Sequence, residues 1–231
     1  MCALVVSGAA LTGCSEDPDA GTNGVGKLSA EQIQARTRAA AGSAQTLRLS
    51  GNVVTSGRTY KLDMRLSADG GSGSVTAEGT TFQLLRIGEE LYLKAGAGFW
   101  AQEDGKGEDT DAAADKLDGK YVKVPSGDPA YKKFSGFTDK DVLLDGLLTL
   151  HGTLGTAGHH EQAGTRTIRI TGDEGDGGTL DVSLEGQPYP LRLARAGGAG
   201  TLTFSAWGKD FPLTEPEKDE TVDYGKQLPA S

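Results

Sequence analysis

From Leu47 onward, apolar and polar residues alternate along much of the chain with a period of two. That is the spacing of strands with one buried face. LRLSGNVVT (47–55) opens the series, and RTYKLDMRLSA (58–68) is its clearest member. Tyr60, Leu62, Met64 and Leu66 fall on one face, while Arg58, Lys61, Asp63 and Arg65 lie mostly on the other. Thr55-Ser56-Gly57 between them reads as a hairpin turn. SGSVTAEG (72–79), TTFQLLRIG (80–88), ELYLKA (90–95) and FWAQ (99–102) continue the strands, with glycine at nearly every junction. Connections this short join antiparallel neighbours, because parallel ones need a crossover of a dozen residues or more. KYVKVP (120–125) adds a short strand. RTIRITG (166–172), TLDVSLEG (179–186), YPLRLARAG (189–197) and TLTFSAWG (201–208) form a second run. Each carries an apolar face and a charged or polar one, the pattern of an antiparallel sheet with one face wet.

Two segments break this period towards helix. Ser29-Ala30-Glu31-Gln32 has the form of a capping box. Ile33 and Ala40 then give a thin apolar stripe that ends near Gly42. Thr138-Asp139-Lys140-Asp141 opens VLLDGLLTL (142–150), the most apolar helix predicted. Val142, Leu143, Leu144, Leu147, Leu148 and Leu150 cover more than one of its faces, so it is expected to be buried or to cover something. Gly146 inside it costs about 1 kcal/mol relative to alanine. DPAYKKF (128–134) reads as a helical turn. Residues 103–118, with seven acids and two lysines, read as a solvated loop with a short helix. The acidic tail after Pro212 is expected to supply an edge segment. Strands with one apolar face and an over-apolar helix must pack together, which makes this an α+β chain.

The N-terminal residues carry a different signal. ALVVSGAALTG (3–13) has no charge and is too short to span a bilayer, which takes about 20 apolar residues. It fits the apolar region of a secretory signal, although no Lys or Arg precedes it as such signals expect. Leu11-Thr12-Gly13-Cys14 resembles the bacterial lipobox. In that signal the cysteine thiol receives a diacylglyceryl group and the chain is cut just before it. The expectation is a signal peptide over 1–13, a lipidated Cys14 with a flexible tether over 14–28, and one domain over 29–231. SEDPDAGTNGVG (15–26) has linker composition. The only other cysteine is Cys2, so cleavage at Cys14 leaves one thiol, an odd count that acylation resolves. The alternatives are a buried N-terminal strand with a free cysteine, or a Cys2–Cys14 disulfide.

A net charge of −9 argues against a nucleic-acid partner, since phosphate binding needs a basic surface. It also argues against electrostatic attachment to an anionic membrane, which makes a covalent anchor the more useful one. No nucleophile elbow, zinc-protease motif, P-loop or paired-cysteine metal site is present. His151, His159 and His160 cluster in HGTLGTAGHHE (151–161). Adjacent histidines in a strand point apart, and the glycine-rich setting favours a solvated loop over a metal site. Phe99-Trp100 offers either a ligand platform or ordinary core.

The order of features resembles one family. A lipobox, a tether and an N-terminal helix precede SGNVVTSGRTYKLDMRLSADGGSGSVTAEG (50–79) and IGEELYLKAGAGFW (87–100). This order is similar to the LppX/LprG type of actinobacterial lipoproteins, related in fold to the carriers LolA and LolB. The resemblance implies a strongly curved antiparallel β-sheet, a half-barrel, with helices packed on its concave face. It implies an apolar cavity between them that binds or carries lipids or acyl chains, with no catalytic residues and no cofactor. It implies a lipid anchor at Cys14 on the extracytoplasmic face of the cell membrane, and it leaves open an envelope protein partner. The candidate cavity lining is Leu62, Met64, Leu66, Phe82, Leu84, Leu91, Leu93, Leu144, Leu147 and Leu148. Each of these is equally at home in a solid core, so the alternative is a surface lipoprotein that acts through protein contacts.

Overall fold

A computed structural model describes residues 17–55, 57–103 and 114–223. The expected signal peptide, Cys14, the turn residue Ser56 and most of the acidic 103–118 segment lie outside these residues. The strands are β1 (Thr46–Thr55), β2 (Arg58–Ser67), β3 (Gly70–Ala77), β4 (Thr80–Ile87), β5 (Glu90–Ala95) and β6 (Tyr121–Val124). They continue as β7 (Leu154–Gln162), β8 (Thr165–Gly172), β9 (Gly178–Ser183), β10 (Pro190–Arg195), β11 (Gly200–Ser205) and β12 (Thr221–Asp223). All belong to one curved, unclosed sheet in the order β12-β6-β5-β4-β3-β2-β1-β11-β10-β9-β8-β7. Helices α1 (Ala30–Ser43), α2 (Ala97–Glu103), α3 (Pro129–Ser135) and α4 (Lys140–Leu147) accompany it.

Matched registers align the apolar positions of neighbouring strands into rows across the inner face. One row runs Phe204, Leu49, Met64, Gly73, Leu84, Leu93, Val122. These residues share a single core with Ile33 of α1, Trp100 of α2, Phe134 of α3 and Leu144 of α4. The helices therefore cover the face that the period-two pattern makes apolar.

The capping box forms as the sequence requires. The Ser29 hydroxyl accepts from the Gln32 N–H, and the Gln32 side chain accepts from the Ser29 N–H. Ser29→Ala is expected to cost about 1 kcal/mol, read as a lower denaturant midpoint with an unchanged slope. No change in midpoint would show that packing of Ile33 and Ala41 alone holds α1.

Several expectations are corrected. The sheet is antiparallel except at its edge, where β12 runs parallel to β6. The chain reaches that edge by a long excursion over the outer face, where the Tyr92 hydroxyl donates to Glu215, and such a length permits a parallel return. FWAQ belongs to α2 rather than to a strand. A strand would send the Phe99 and Trp100 rings to opposite faces. The helix turns both inward, edge to face at 5.1 Å. HGTLGTAGHHE supplies β7, the edge strand, and not a loop. Its side chains are half-buried or exposed throughout, so apolar alternation could not announce it. The helix from 140 stops at Leu147; it covers the core with Leu144 and leaves Val142 61% exposed. Finally, the tether is not free along its whole expected length. From Asp19 the chain is docked on the domain, with Val25 buried in the core and Leu28 packed against it.

Candidate functional site

The candidate site lies on the inner face at the strand ends beside the β1–β2 and β3–β4 turns. There the register Val53–Tyr60–Ala77–Thr80 places two small residues next to one aromatic ring. A cleft of about 90 Å³ opens above them. Phe82 forms its floor. Its ring meets Phe99 of α2 at 5.4 Å and Phe134 of α3 at 5.3 Å. Tyr60 and Phe137 form another wall, with ring centroids 5.8 Å apart. Four of the six phenylalanines in the chain thus converge on one cleft.

The rim is charged. Arg58 and Glu78 form an exposed ion pair at 3.3 Å. Lys133 lies over the Phe134 ring, 5.2 Å from its centroid, where the ring face attracts a cation. The site is an apolar floor with a polar mouth, which suits an amphiphile better than a small polar substrate.

Of the ten candidate lining residues, Phe82 alone lines this cleft. Leu62, Met64, Leu66, Leu84, Leu91, Leu93, Leu144 and Leu148 are buried in the core, and Leu147 packs against it half-buried. Met64 shows how tight that core is. A Cβ placed on Gly73 would lie 2.7 Å from the Met64 sulfur, so the thioether fills the space the glycine leaves. Met64→Trp is therefore expected to cost about 1–3 kcal/mol through overpacking, with a clearly lower melting temperature. Near-native melting would reveal room beside Met64 for a ligand. Tyr60, Phe134 and Phe137 were missed in the sequence as members of a site. The available signal was the concentration of phenylalanine around strand and helix ends.

The helical layer is tied to the sheet by a few polar contacts. Arg86, on the inner face of β4, donates to the Thr138 hydroxyl at 3.1 Å and to its carbonyl at 3.0 Å. Lys140 is almost fully buried and donates to the Gly42 carbonyl at 3.0 Å, joining α4 to α1. The seam at α2 is less satisfied: Trp100 is buried, and among the described residues its Nε1–H has no hydrogen-bond partner.

The histidines separate as strand geometry demands. His159 Nε2 lies 3.1 Å from Asp19, and His160 Nε2 lies 3.0 Å from the Ala157 carbonyl. Among the described residues, no group of three or more His, Cys, Asp or Glu is placed to hold a metal ion. No helix among them is long and apolar enough to cross a membrane.

No protein-family model and no curated protein sequence matches the chain. Solved structures do. LprF from Mycobacterium bovis superposes with a TM-score of 0.55 at 15% identity, over 81% of this chain and 96% of LprF. The Mycobacterium tuberculosis lipoprotein LppX gives 0.48 at 16% identity, over 80% of this chain and 99% of LppX. At such identities the likeness is one of architecture: this chain has the fold of the mycobacterial lipoprotein LprF, a large curved sheet left unclosed and accompanied by few helices.

Proposed function

We propose that the protein is an envelope lipoprotein, anchored through a diacylglyceryl group on Cys14, that binds the acyl chain of a lipid or acylated molecule. The observation that carries this reading is the aromatic cleft between β2–β4 and the α2–α3 side of the helical layer. An acyl chain would enter over Phe82, and its head would stay at the rim beside Arg58, Glu78 and Lys133. Its affinity would come from apolar surface removed from water, near 25 cal/mol per Å². The cleft is smaller than the ~300–1,000 Å³ of most small-molecule pockets. Only the end of a chain fits unless α2 and α3 move outward. The buried indole N–H of Trp100, without a partner among the described residues, makes the α2 seam the place for such movement, since an orphaned donor costs about 1–3 kcal/mol.

The test is mass spectrometry of lipid extracted from the purified protein, with titration of a fluorescent fatty acyl probe beside it. Copurified acyl lipid and saturable probe binding are the expected results. The packed row through Met64 and Gly73 favours a second reading, a solid-core surface lipoprotein that works by protein contact. A lipid-free protein that binds no probe would select it.

A further inference from the structure

The segment between the expected anchor and α1 is fastened to one end of the sheet. The Asp19 carboxylate lies 3.1 Å from His159 of β7. The Arg166 guanidinium of β8 donates to the Ala20 carbonyl at 3.1 Å. The Asn23 N–H donates to the Leu184 carbonyl at 2.9 Å, just beyond β9. The Asn23 side-chain amide donates to the Ser183 and Gly186 carbonyls, at 3.0 and 3.2 Å. Behind these contacts Val25 is buried in the core. Gly26 sits so close to Asp19 that a Cβ would lie 2.1 Å from its carboxylate. Three strands thus clamp one short stretch of chain, and all do so at the end of the sheet where β8 starts and β7 and β9 stop.

We infer that this end of the sheet rests against the bilayer surface, with the clamp fixing the orientation of the domain. The inference depends on lipidation of Cys14. Asp19 is five positions after Cys14, a span of at most about 18 Å even when fully extended. With the thiol's acyl chains in the bilayer, the clamp lies at or near the lipid headgroups. A free linker to Leu28 would reach about 50 Å and leave the domain tumbling. The surface here mixes signs: Lys27, Arg166 and His159 stand among Asp17, Asp19, Glu161 and Glu185. A polybasic attraction to anionic lipid is therefore not required, and neutral lipid should suffice.

The test uses the full lipidated protein in phosphatidylcholine vesicles that contain a headgroup spin-labelled lipid as quencher. One fluorophore is placed on Gln187→Cys, exposed at the clamp end of β9, or on Asp176→Cys, exposed beyond its opposite end. Cys14 itself is blocked by its lipid thioether. β9 spans six residues, about 20 Å. The Gln187 label is expected to lose at least half its emission and the Asp176 label little. Asn23→Ala, which removes the side-chain anchors of the clamp, should narrow that difference without releasing the protein from the vesicles. Equal quenching at both positions on vesicle-bound protein overturns the inference while leaving the anchor intact. Failure of the wild type to bind vesicles at all overturns the anchor, and the inference with it.

Discussion

Truncating Phe82 to alanine is expected to lower the unfolding free energy by about 3–5 kcal/mol and to abolish binding of an acyl probe. The ring is 5% exposed and meets both α2 and α3, through Phe99 and Phe134. Its removal leaves both helices facing Val75 and Ala95 across a void, and the core can collapse only as far as the β4 backbone lets it. For a domain of this size, the loss corresponds to a fall in melting temperature of roughly 10 °C. Phe82→Leu keeps much of the apolar volume and should fold, so probe binding can be read separately from stability. If Phe82→Ala melts within a degree or two of the wild type, the aromatic cluster does not hold the helical layer. If Phe82→Leu binds the probe with undiminished affinity, the cleft floor is not where the chain goes.

Cys14→Ala should move nearly all of the protein from the membrane fraction to the soluble fraction. Each buried methylene of an acyl chain contributes about 0.8 kcal/mol, and stable attachment takes two chains or a second signal. A diacylglyceryl group supplies two chains. The described residues include no helix able to span a bilayer, and the net charge of −9 offers no electrostatic substitute. Fractionation with immunodetection decides the matter. Unchanged membrane association of the variant would end the lipid-anchor reading and require some other means of attachment.

Much of this architecture is legible in the residues. The period-two stretches became β1 to β5 and β8 to β11, because their burial is one-sided and burial is what periodicity records. The capping box became the start of α1 because both of its hydrogen bonds are local. The cleft was not legible. It depends on Ala77 and Thr80 standing in register with Tyr60, and on Phe99, Phe134 and Phe137, further along the chain, folding over them. Alternation says that Leu62 and Met64 face inward. It cannot say whether the inward face meets a solid layer or a gap, since that depends on the size of residues brought together by pairing. β7 escaped for the opposite reason. It is held by backbone pairing, and its side chains keep no preference between faces. The docked segment before α1 escaped because its attachments are amide and carbonyl contacts to residues 140 to 160 positions away.

A sheet that never closes keeps two borders, and unpaired strand borders recruit other chains. This protein blunts each one differently. At one border β12 is three residues long and follows a proline-marked acidic tail, too short to template a partner. At the other, β7 is long enough to polymerise. Its register slips between Thr156 and His159, two glycines loosen it, and His159, His160 and Glu161 put polar groups along it. A straightened, apolar β7 would be expected to turn this domain into a filament former, with copies stacking border to border. The irregular sequence of that strand thus guards the open border of an unclosed sheet.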